Sequence, residues 1–433
     1  MKPLLLALIS LSLFSACQPA KKGSKTVQAI PVQHADGIAP YLSQDNQGRA
    51  VLCWTEKNLT DATNMLKYAY FDDKADAFGA PVAVQASKGM SSTAESMGKV
   101  AFKSDGTVIA FFSRRFEQEK NPFAGAIYYS MSKDQGKSWS FQQFLHSDTA
   151  HAYGRSFFDV SALKDGQVGA VWLDGRYGKT IKGSALYFAR TTAGKGFEKD
   201  TCLEKGTCEC CRTDLLKDQQ GNLHVAYRSI SFPLETNGRQ VRDMVYQLSG
   251  DNGRTFSKPA AISKDNWAIE ACPHSGPTLA VNRDGVNAVW FTAGGSPGLY
   301  STWSQSGSPT FHARNLITSK GRHPQMLALP NGDLAMVCEE TTEQPSAMPA
   351  MKMEHGHGGM QMSHGPAAPG SIVLRLMRNG RALQEISLTS GAYGDNHPVI
   401  TAVQDAVLVA WVREDKGRSS ICYTKINTSE LKK

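Results

Sequence analysis

Five cysteines on two stretches of chain are the residues whose type and spacing most directly suggest chemistry. They are Cys202, Cys208, Cys210, Cys211 and Cys272. His274 lies two residues after the last of them. Thiolates beside an imidazole suit a soft metal ion, whereas an exported protein also uses cysteines for disulfides, and an odd set leaves one thiol unpaired. The sequence leaves both roles open.

A second set of potential ligands occupies a stretch rich in methionine and histidine. Its members are Met348, Met351, Met353, His355, His357, Met360, Met362 and His364. Residues 341–370 have no helical or alternating period, which predicts a flexible loop. Thioether and imidazole donors together favour copper, particularly Cu(I), over hard cations. The stretch resembles the Met/His-rich tracts of periplasmic copper-resistance and copper-carrier proteins, which implies copper capture. The alternative is a low-complexity insertion without function.

The first residues of the chain are typical of an export signal. Lys2 precedes an apolar run over residues 4–14 that is too short to span a bilayer. The sequence Phe-Ser-Ala-Cys ending at Cys17 resembles a bacterial lipobox. We therefore expect a signal peptide at 1–16, a lipidated tether at 17–25 and an extracytoplasmic protein anchored on the periplasmic side of the outer membrane. The alternative is ordinary signal cleavage, with Cys17 incidental.

Composition indicates that strands rather than helices position these ligands. The chain has 433 residues, of which 41% are hydrophobic, and its 39 glycines and 19 prolines are spread along the whole length. Glycines and prolines distributed in this way favour many short secondary-structure elements separated by turns, and hence an all-β fold. The net charge of +8 includes no long Lys/Arg run and no nucleic-acid motif, so nucleic acid is not an expected partner.

A repeated unit sets the predicted architecture. Its turns and second strands run over 45–54, 105–112, 165–172, 218–227, 284–290, 331–338 and 405–411. Its third strands run over 66–70, 126–130, 185–189, 244–248, 299–303, 372–376 and 421–425. Four short antiparallel strands per unit predict a seven-bladed β-propeller over residues 26–433, or a six-bladed one if one repeat is misread. The last repeat stops after its third strand, so residues 26–32 are expected to close the ring. Cys53, Cys338 and Cys422 fall inside apolar strands and are expected in the core.

Two turns carry the pattern Ser-x-Asp-x-Gly-x-x-aromatic. They span Ser132–Trp139 and Ser249–Phe256, and a weaker copy spans Thr192–Phe197. The pattern resembles the Asp-box of the sialidase and BNR-repeat superfamily, which implies a propeller fold. The chemistry of the box is that of a stable hairpin turn, with side chains bonded to local amides and glycine at a positive φ. It therefore carries little information on function.

The propeller prediction brings the potential ligands to one face. Connections between successive blades open beside the central channel, and several histidines occupy equivalent connections. They are His34, His151, His274, His323 and His397. We expect a copper site, with Cu(I) favoured, built from Cys208, Cys210, Cys211, Cys272 and His274, with the other four histidines as further candidates. The Met/His loop would pass copper to this site, and the monomeric protein would serve copper homeostasis or delivery to another periplasmic copper protein.

Three other functions remain open. The resemblance to sialidases implies a glycoside hydrolase with an arginine cluster, but Gly37-Ile38-Ala39-Pro40 lacks the arginine of the family's Phe-Arg-Ile-Pro motif. The residues left for such a site are Asp36, Tyr153, Arg155, Arg176, Arg212 and Arg228. A non-catalytic protein-binding scaffold is the second possibility. A copper oxidoreductase resembling nitrous oxide reductase is the third, although no second copper domain has the usual signature. No catalytic residue is assigned.

Overall fold

The computed structural model describes residues 26–32, 34–117, 120–341 and 370–431, without the side chain of Lys179. The signal peptide, Cys17, the tether and all eight Met/His-loop ligands lie outside the described residues. Within those ranges every regular element is a strand or a short 3₁₀ helix, and no helix is long and apolar enough to cross a membrane. The 3₁₀ helices span Gln85–Ser87, Gly178–Thr180, Leu234–Thr236 and Thr428–Leu431.

Most of the strands form antiparallel sheets built from one continuous stretch of chain each. Strand β1 (Gln28–Ala29) comes first but pairs with the end of the chain. The first sheet holds β2 (Ala35–Gln44), β3 (Ala50–Asn58), β4 (Asn64–Asp72), β5 (Ala77–Phe78) and β6 (Val82–Ala83). The second holds β7 (Lys99–Phe102), β8 (Val108–Arg115), β9 (Gly125–Ser132) and β10 (Gln143–Phe144).

The next three sheets repeat this four-stranded order. The third holds β11 (Arg155–Ala162), β12 (Val168–Asp174), β13 (Ser184–Arg190) and β14 (Thr201–Thr207). The fourth holds β15 (Asp214–Lys217), β16 (Leu223–Arg228), β17 (Met244–Ser249) and β18 (Ala260–Ala261). The fifth holds β19 (Thr278–Asn282), β20 (Gly285–Thr292), β21 (Gly298–Gln305) and β22 (Asn315–Thr318).

The remaining strands form one larger sheet with two four-stranded halves. One half holds β23 (Gly321–Ala328), β24 (Leu334–Thr341), β25 (Gly370–Arg378) and β26 (Arg381–Ser387). The other holds β27 (Gly394–Val403), β28 (Ala406–Asp415), β29 (Arg418–Asn427) and β1. A single parallel pair, Gly370 with Gly394, joins the halves. The pairing of β1 with β29 brings the two ends of the described chain into one sheet, as predicted for ring closure.

The first strands of successive units contact one another in a closed circle, which is the architecture of a propeller. The circle runs through β2, β7, β11, β15, β19, β23 and β27 and returns to β2. It has one member for each sequence repeat, and every predicted third strand lies within an observed one. The all-β propeller prediction is confirmed.

Apolar side chains of the second strands fill the space between neighbouring sheets. Trp54, Trp172, Trp290 and Trp411 are fully buried on these strands. One such cluster joins Trp54 and other residues of the first sheet to Leu408 of the last. Because fully burying one large apolar side chain contributes ~1.5–3 kcal/mol, packing between sheets is a main source of stability.

Two carboxylates on the innermost strands, one buried and one partly buried, connect adjacent units. Asp159 of β11 accepts a hydrogen bond of 2.7 Å from the backbone amide of Leu215 in β15. Asp214 of β15 accepts one of 2.6 Å from Leu279 in β19. Lys99 of β7 pairs with Asp159 at 2.6 Å. These bonds connect the innermost strands of four successive units, from β7 to β19.

The predicted box turns are structural. In the first, the hydroxyl of Ser132 donates to Asp134 at 2.8 Å and accepts from the amide of Gly136 at 2.7 Å. Gly136 has φ +89°, and an added Cβ would lie 2.4 Å from the hydroxyl of Tyr68 in the preceding sheet. The ring of Trp139 packs edge-on against Tyr68 at 6.3 Å between centroids. The box therefore fastens one sheet to its neighbour.

Candidate metal centre

Bulges at the beginning of the innermost strands set the direction of several site residues. The pairing of β23 with β24 shifts register between Arg322 and Gln325, and His323 in the bulge has φ +48°. The pairing of β27 with β28 shifts in the same way, and His397 has φ +50°. His274, just before β19, has φ +46°. A bulge re-aims the side chain it carries, so His323 and His397 leave the regular alternation of their strands.

Three of the predicted cysteines form a buried cluster immediately after β14. The sulfur of Cys208 lies 3.6 Å from that of Cys210 and 3.3 Å from that of Cys211. All three residues are at most 5% exposed. Their sulfur atoms lie within 4.8 Å of one another, which is close enough to bind one metal ion.

Cys210 also belongs to a second, more accessible group. Its sulfur, that of Cys272 and a ring nitrogen of His274 lie within 4.8 Å of one another. Cys272 and His274 are half-buried. The structure thus brings together the five predicted core ligands as two ligand triplets that share Cys210. All these cysteines are free thiols in the structure, and their pairing in solution stays an open prediction.

Arginine makes the thiol cluster electropositive and favours a thiolate. The guanidinium of Arg242 donates to the sulfur of Cys208 at 2.9 Å and also pairs with Glu209. Burial alone would raise the pKa of Cys208, but hydrogen bonds with the Cys210 and Cys211 thiols and the charge of Arg242 bring that pKa well below its ordinary value. The hydrogen bond with Cys208 raises the pKa of Cys210, and burial raises the pKa of Cys211. Negative charge therefore concentrates on Cys208, as a metal-binding thiolate requires.

Two predicted histidines come together in a different cluster. The rings of His323 and His397 stack with centroids 4.1 Å apart. Their Nε2 atoms lie 3.5 and 4.0 Å from Oε1 of Glu95. On the other side, Nδ1 of His323 is hydrogen-bonded to Glu339 at 2.8 Å, and Nδ1 of His397 to Asn396 at 2.7 Å. The cluster is a third group of ligand atoms within 4.8 Å.

Charges in this histidine cluster are strongly coupled. Burial lowers the pKa of His323, but the carboxylates of Glu339 and Glu95 outweigh it and raise that pKa above its ordinary value. Burial and then His323 lower the pKa of His397 to about 4. Burial would raise the pKa of Glu339, yet His323 and His397 hold it at about 2. His397 is thus neutral at pH 7.

The other predicted ligands lie elsewhere. His34 is exposed, and the ring of His151 stacks on Phe116 at 4.0 Å. Neither belongs to the ligand groups found in the described ranges. Cys202 lies on the outer strand β14 beside tyrosine side chains, away from the thiol cluster. Cys53, Cys338 and Cys422 are buried core residues, as predicted.

Sequence reasoning missed three supporting residues. Glu95 lies in a connection between units, where its residue type alone indicates no role, and Glu339 lies in the apolar strand β24 with no local signal. Arg242 precedes β17 in an ordinary polar stretch. Their partners come from distant parts of the chain, so only the tertiary structure reveals their importance.

The arginines available for a hydrolase site are engaged internally. Arg155 pairs with Asp174 at 3.2 Å, and Arg176 pairs with Asp174 at 2.7 Å and with Asp200 at 2.6 Å. Arg228 donates to three backbone carbonyls. Arg212 pairs with Glu95. These guanidinium groups hold the fold around the channel.

Comparison with known proteins gives the family. Residues 48–282 match the model of the BNR repeat-like domain, which covers more than half of the chain. The chain belongs to this BNR-repeat family. No curated protein matches it. The BNR-repeat assignment agrees with the box turns and confirms the resemblance to the sialidase superfamily.

Solved structures share the fold of this BNR-repeat protein. The GH93 α-L-arabinofuranosidase of Fusarium graminearum, in complex with arabinobiose, has a TM-score of 0.50 and 13% identity, with 95% of this chain and 99% of that chain covered. A point mutant of the NanB sialidase from Streptococcus pneumoniae has a TM-score of 0.50 and 12% identity, with 96% and 72% covered. The BNR-repeat protein therefore has a sialidase-like propeller fold.

Proposed function

We propose that this propeller binds a thiophilic metal ion, with Cu(I) as the preferred ion, and serves copper homeostasis or delivery. The observation that carries the proposal is the pair of ligand triplets sharing Cys210. Soft sulfur donors favour Cu(I), and the buried triplet supplies three of them. The arginine beside Cys208 stabilises the thiolate that a metal ligand must become.

The two triplets differ in burial in a way that suits ion transfer. Cys272 and His274 are half-buried, whereas Cys208 and Cys211 are each 1% exposed. An ion arriving at the accessible triplet would move to the buried one through the shared Cys210. Ligand exchange of this kind lets a site be selective and still release its ion.

The Met/His stretch fits this proposal by its place in the chain. It falls between β24, which ends at Thr341, and β25, which begins at Gly370. Glu339, two residues before the end of β24, contacts both His323 and His397. The strand that leads into the stretch therefore carries a residue of the histidine cluster. We propose that it captures copper, and that a lipid on Cys17 anchors the protein outside the cytoplasm.

The test is an anaerobic Cu(I) titration of the full chain against a chromophoric Cu(I) chelator. Cys210→Ser should weaken Cu(I) binding more than the ~10–100-fold that follows loss of a supporting contact. Cys202→Ser is the matched control and should bind like the wild type. Equal affinity in both variants would remove the thiol assignment.

Glycoside hydrolysis is the alternative function, and it rests on the fold shared with the arabinofuranosidase and the sialidase. The internal pairing of Arg155 and Arg176 leaves them poorly suited to bind a substrate carboxylate. Arabinofuranosyl and sialyl substrates test it directly. Turnover of either substrate that survives Cys210→Ser would favour the hydrolase.

A further inference from the structure

The histidine cluster has the arrangement of a metal site distinct from the thiol site. The Nε2 atoms of His323 and His397 both face Oε1 of Glu95, at 3.5 and 4.0 Å. Tetrahedral ligands bound to Zn²⁺ at ~2.0–2.1 Å lie about 3.3 Å from one another. The three atoms thus need only a small contraction to share one ion.

The opposite ring nitrogens are already fixed by hydrogen bonds. Nδ1 of His323 is hydrogen-bonded to Oε1 of Glu339 at 2.8 Å, and Nδ1 of His397 is hydrogen-bonded to Oδ1 of Asn396 at 2.7 Å. The second oxygen of Glu339 accepts a hydrogen bond of 2.6 Å from the backbone amide of His397. Metal-binding histidines characteristically donate their other ring N–H to a carboxylate or carbonyl, which leaves the facing nitrogen with its lone pair free. One carboxylate here orients both ligands.

Glu95 gives a second, independent indication of a bound cation. It is 7% exposed, and neither carboxylate oxygen accepts a hydrogen bond from the described residues. Its close partners are the Nε of Arg212, at 3.0 Å from Oε2, and the two imidazoles facing Oε1. Buried carboxylates are normally hydrogen-bonded or bound to a cation. Arg212 compensates Oε2, so an ion at Oε1 would supply the interaction that this second oxygen lacks.

We propose that His323, His397 and Glu95 bind a borderline divalent cation of the Zn²⁺ class. Two imidazoles and a carboxylate suit such an ion, whereas Cu(I) prefers sulfur. The side chain of His397 is 25% exposed, so the site opens to solvent on that side. Three protein ligands with an open position are typical of sites where the metal binds water or substrate. This site goes beyond the proposed copper function and does not depend on it.

A metal-free ion network is the competing explanation. In it, a protonated His323 bridges Glu339 and Glu95, and no divalent ion binds. Co²⁺ distinguishes the two because only the metal site would bind it, with the weak visible bands of nitrogen and oxygen ligands and without the intense charge-transfer absorption that thiolate ligands give. The probe also separates this site from the thiol cluster, whose own test is the Cu(I) titration.

The experiment titrates the chelator-treated full chain with Co²⁺ and competes the bound ion with Zn²⁺. Cys210→Ser should bind one Co²⁺ with weak visible bands, and the wild type should bind the same ion beside any that the thiol cluster takes. His323→Gln and His397→Gln, each made in the Cys210→Ser background, should lose these weak bands. Glu339→Gln should weaken binding by ~10–100-fold, since it removes a supporting partner. His34→Asn, at an equivalent connection, is the control and should bind normally.

Two results would overturn the proposal. One is a wild type in which only the thiol cluster binds Co²⁺. In that case Cys210→Ser would lose all Co²⁺ absorption. The other is unchanged Co²⁺ affinity in His397→Gln. Should His323→Gln fail to fold, as judged by circular dichroism, His397→Gln and Glu339→Gln still decide the question.

Discussion

Arg212 and Glu95 form a buried ion pair, with 3.0 Å between Nε and Oε2, that joins the two ligand clusters. Arg212 directly follows Cys211 in the chain, whereas Glu95 faces the stacked histidines. Both side chains are less than 10% exposed. The thiol cluster and the histidine cluster are therefore neighbours, linked through this ion pair.

Arg212→Met should destabilise the fold because it leaves Glu95 buried without its main counter-ion. Removing one partner of a buried pair costs ~3–5 kcal/mol. Chemical denaturation measures the loss. The double variant Arg212→Met/Glu95→Gln should recover much of it, and a double variant no more stable than the single one would show that the pair is not the cause.

Arg242→Gln should weaken Cu(I) binding without removing a ligand. The guanidinium at 2.9 Å lowers the pKa of Cys208, so its loss raises the proton affinity of that thiol. We expect a ~10–100-fold weaker Cu(I) affinity at pH 7, comparable to other supporting contacts, and a smaller deficit at higher pH. Arg239→Gln is the matched control because its guanidinium lies outside the cluster. A deficit independent of pH would argue against this explanation.

Asp214 should make stability fall as pH rises from about 4 to about 7. Burial, and then Asp159, raise the pKa of Asp214 to about 7. Over this interval the folded state holds a proton that the unfolded state has lost, so raising the pH favours unfolding by an amount on the order of a few kcal/mol. Asp214→Asn keeps an acceptor for the amide of Leu279 and should flatten the dependence.

Urea denaturation at several pH values measures this slope. Asp251→Asn is the control, because hydrogen bonds from Thr255 lower the pKa of Asp251 to about 2. The Asp251 carboxylate contributes to the free energy of unfolding above pH ~4, and this contribution is lost only in stronger acid. Asp251→Asn should therefore keep the wild-type dependence of stability on pH between about pH 4 and pH 7. An unchanged slope in Asp214→Asn would contradict the assignment.

Deleting residues 26–32 should destabilise the ring. The deletion removes β1 and exposes the backbone edge of β29, which invites association between chains. We expect a lower Tm and concentration-dependent oligomers in size-exclusion chromatography. Gln28→Ala removes two side-chain hydrogen bonds, one accepted from Tyr423 at 2.6 Å and one donated to the carbonyl of Asp76 at 3.2 Å. It should therefore cost ~1–2 kcal/mol and leave the monomer intact.

Local sequence patterns predicted the scaffold because propeller blades are built from local contacts. Asp-Gly turns, alternating strands and the Asp-boxes each lie within one short stretch, so the strand positions followed directly. The convergence of Cys208 to Cys211 with Cys272 also followed, since both segments occupy adjacent connections.

The division of the donors into two clusters was not predictable in this way. Register shifts turn His323 and His397 toward Glu95. His34 and His151 occupy similar connections but lie elsewhere. A bulge and its partner across the channel depend on tertiary packing, and Glu339 had no distinguishing neighbours in the sequence. Periodicity identifies which turns are equivalent but not where each side chain points.

The outermost position of β1 determines how a lipid attached at Cys17 would orient the disc. β1 lies at the free edge of its sheet, three strands away from the innermost β27. Nine residues, 17–25, reach at most about 30 Å when extended. Membrane attachment at the rim would leave the channel mouth facing sideways into the surrounding compartment, so soluble donors and acceptors could dock there without displacing lipid.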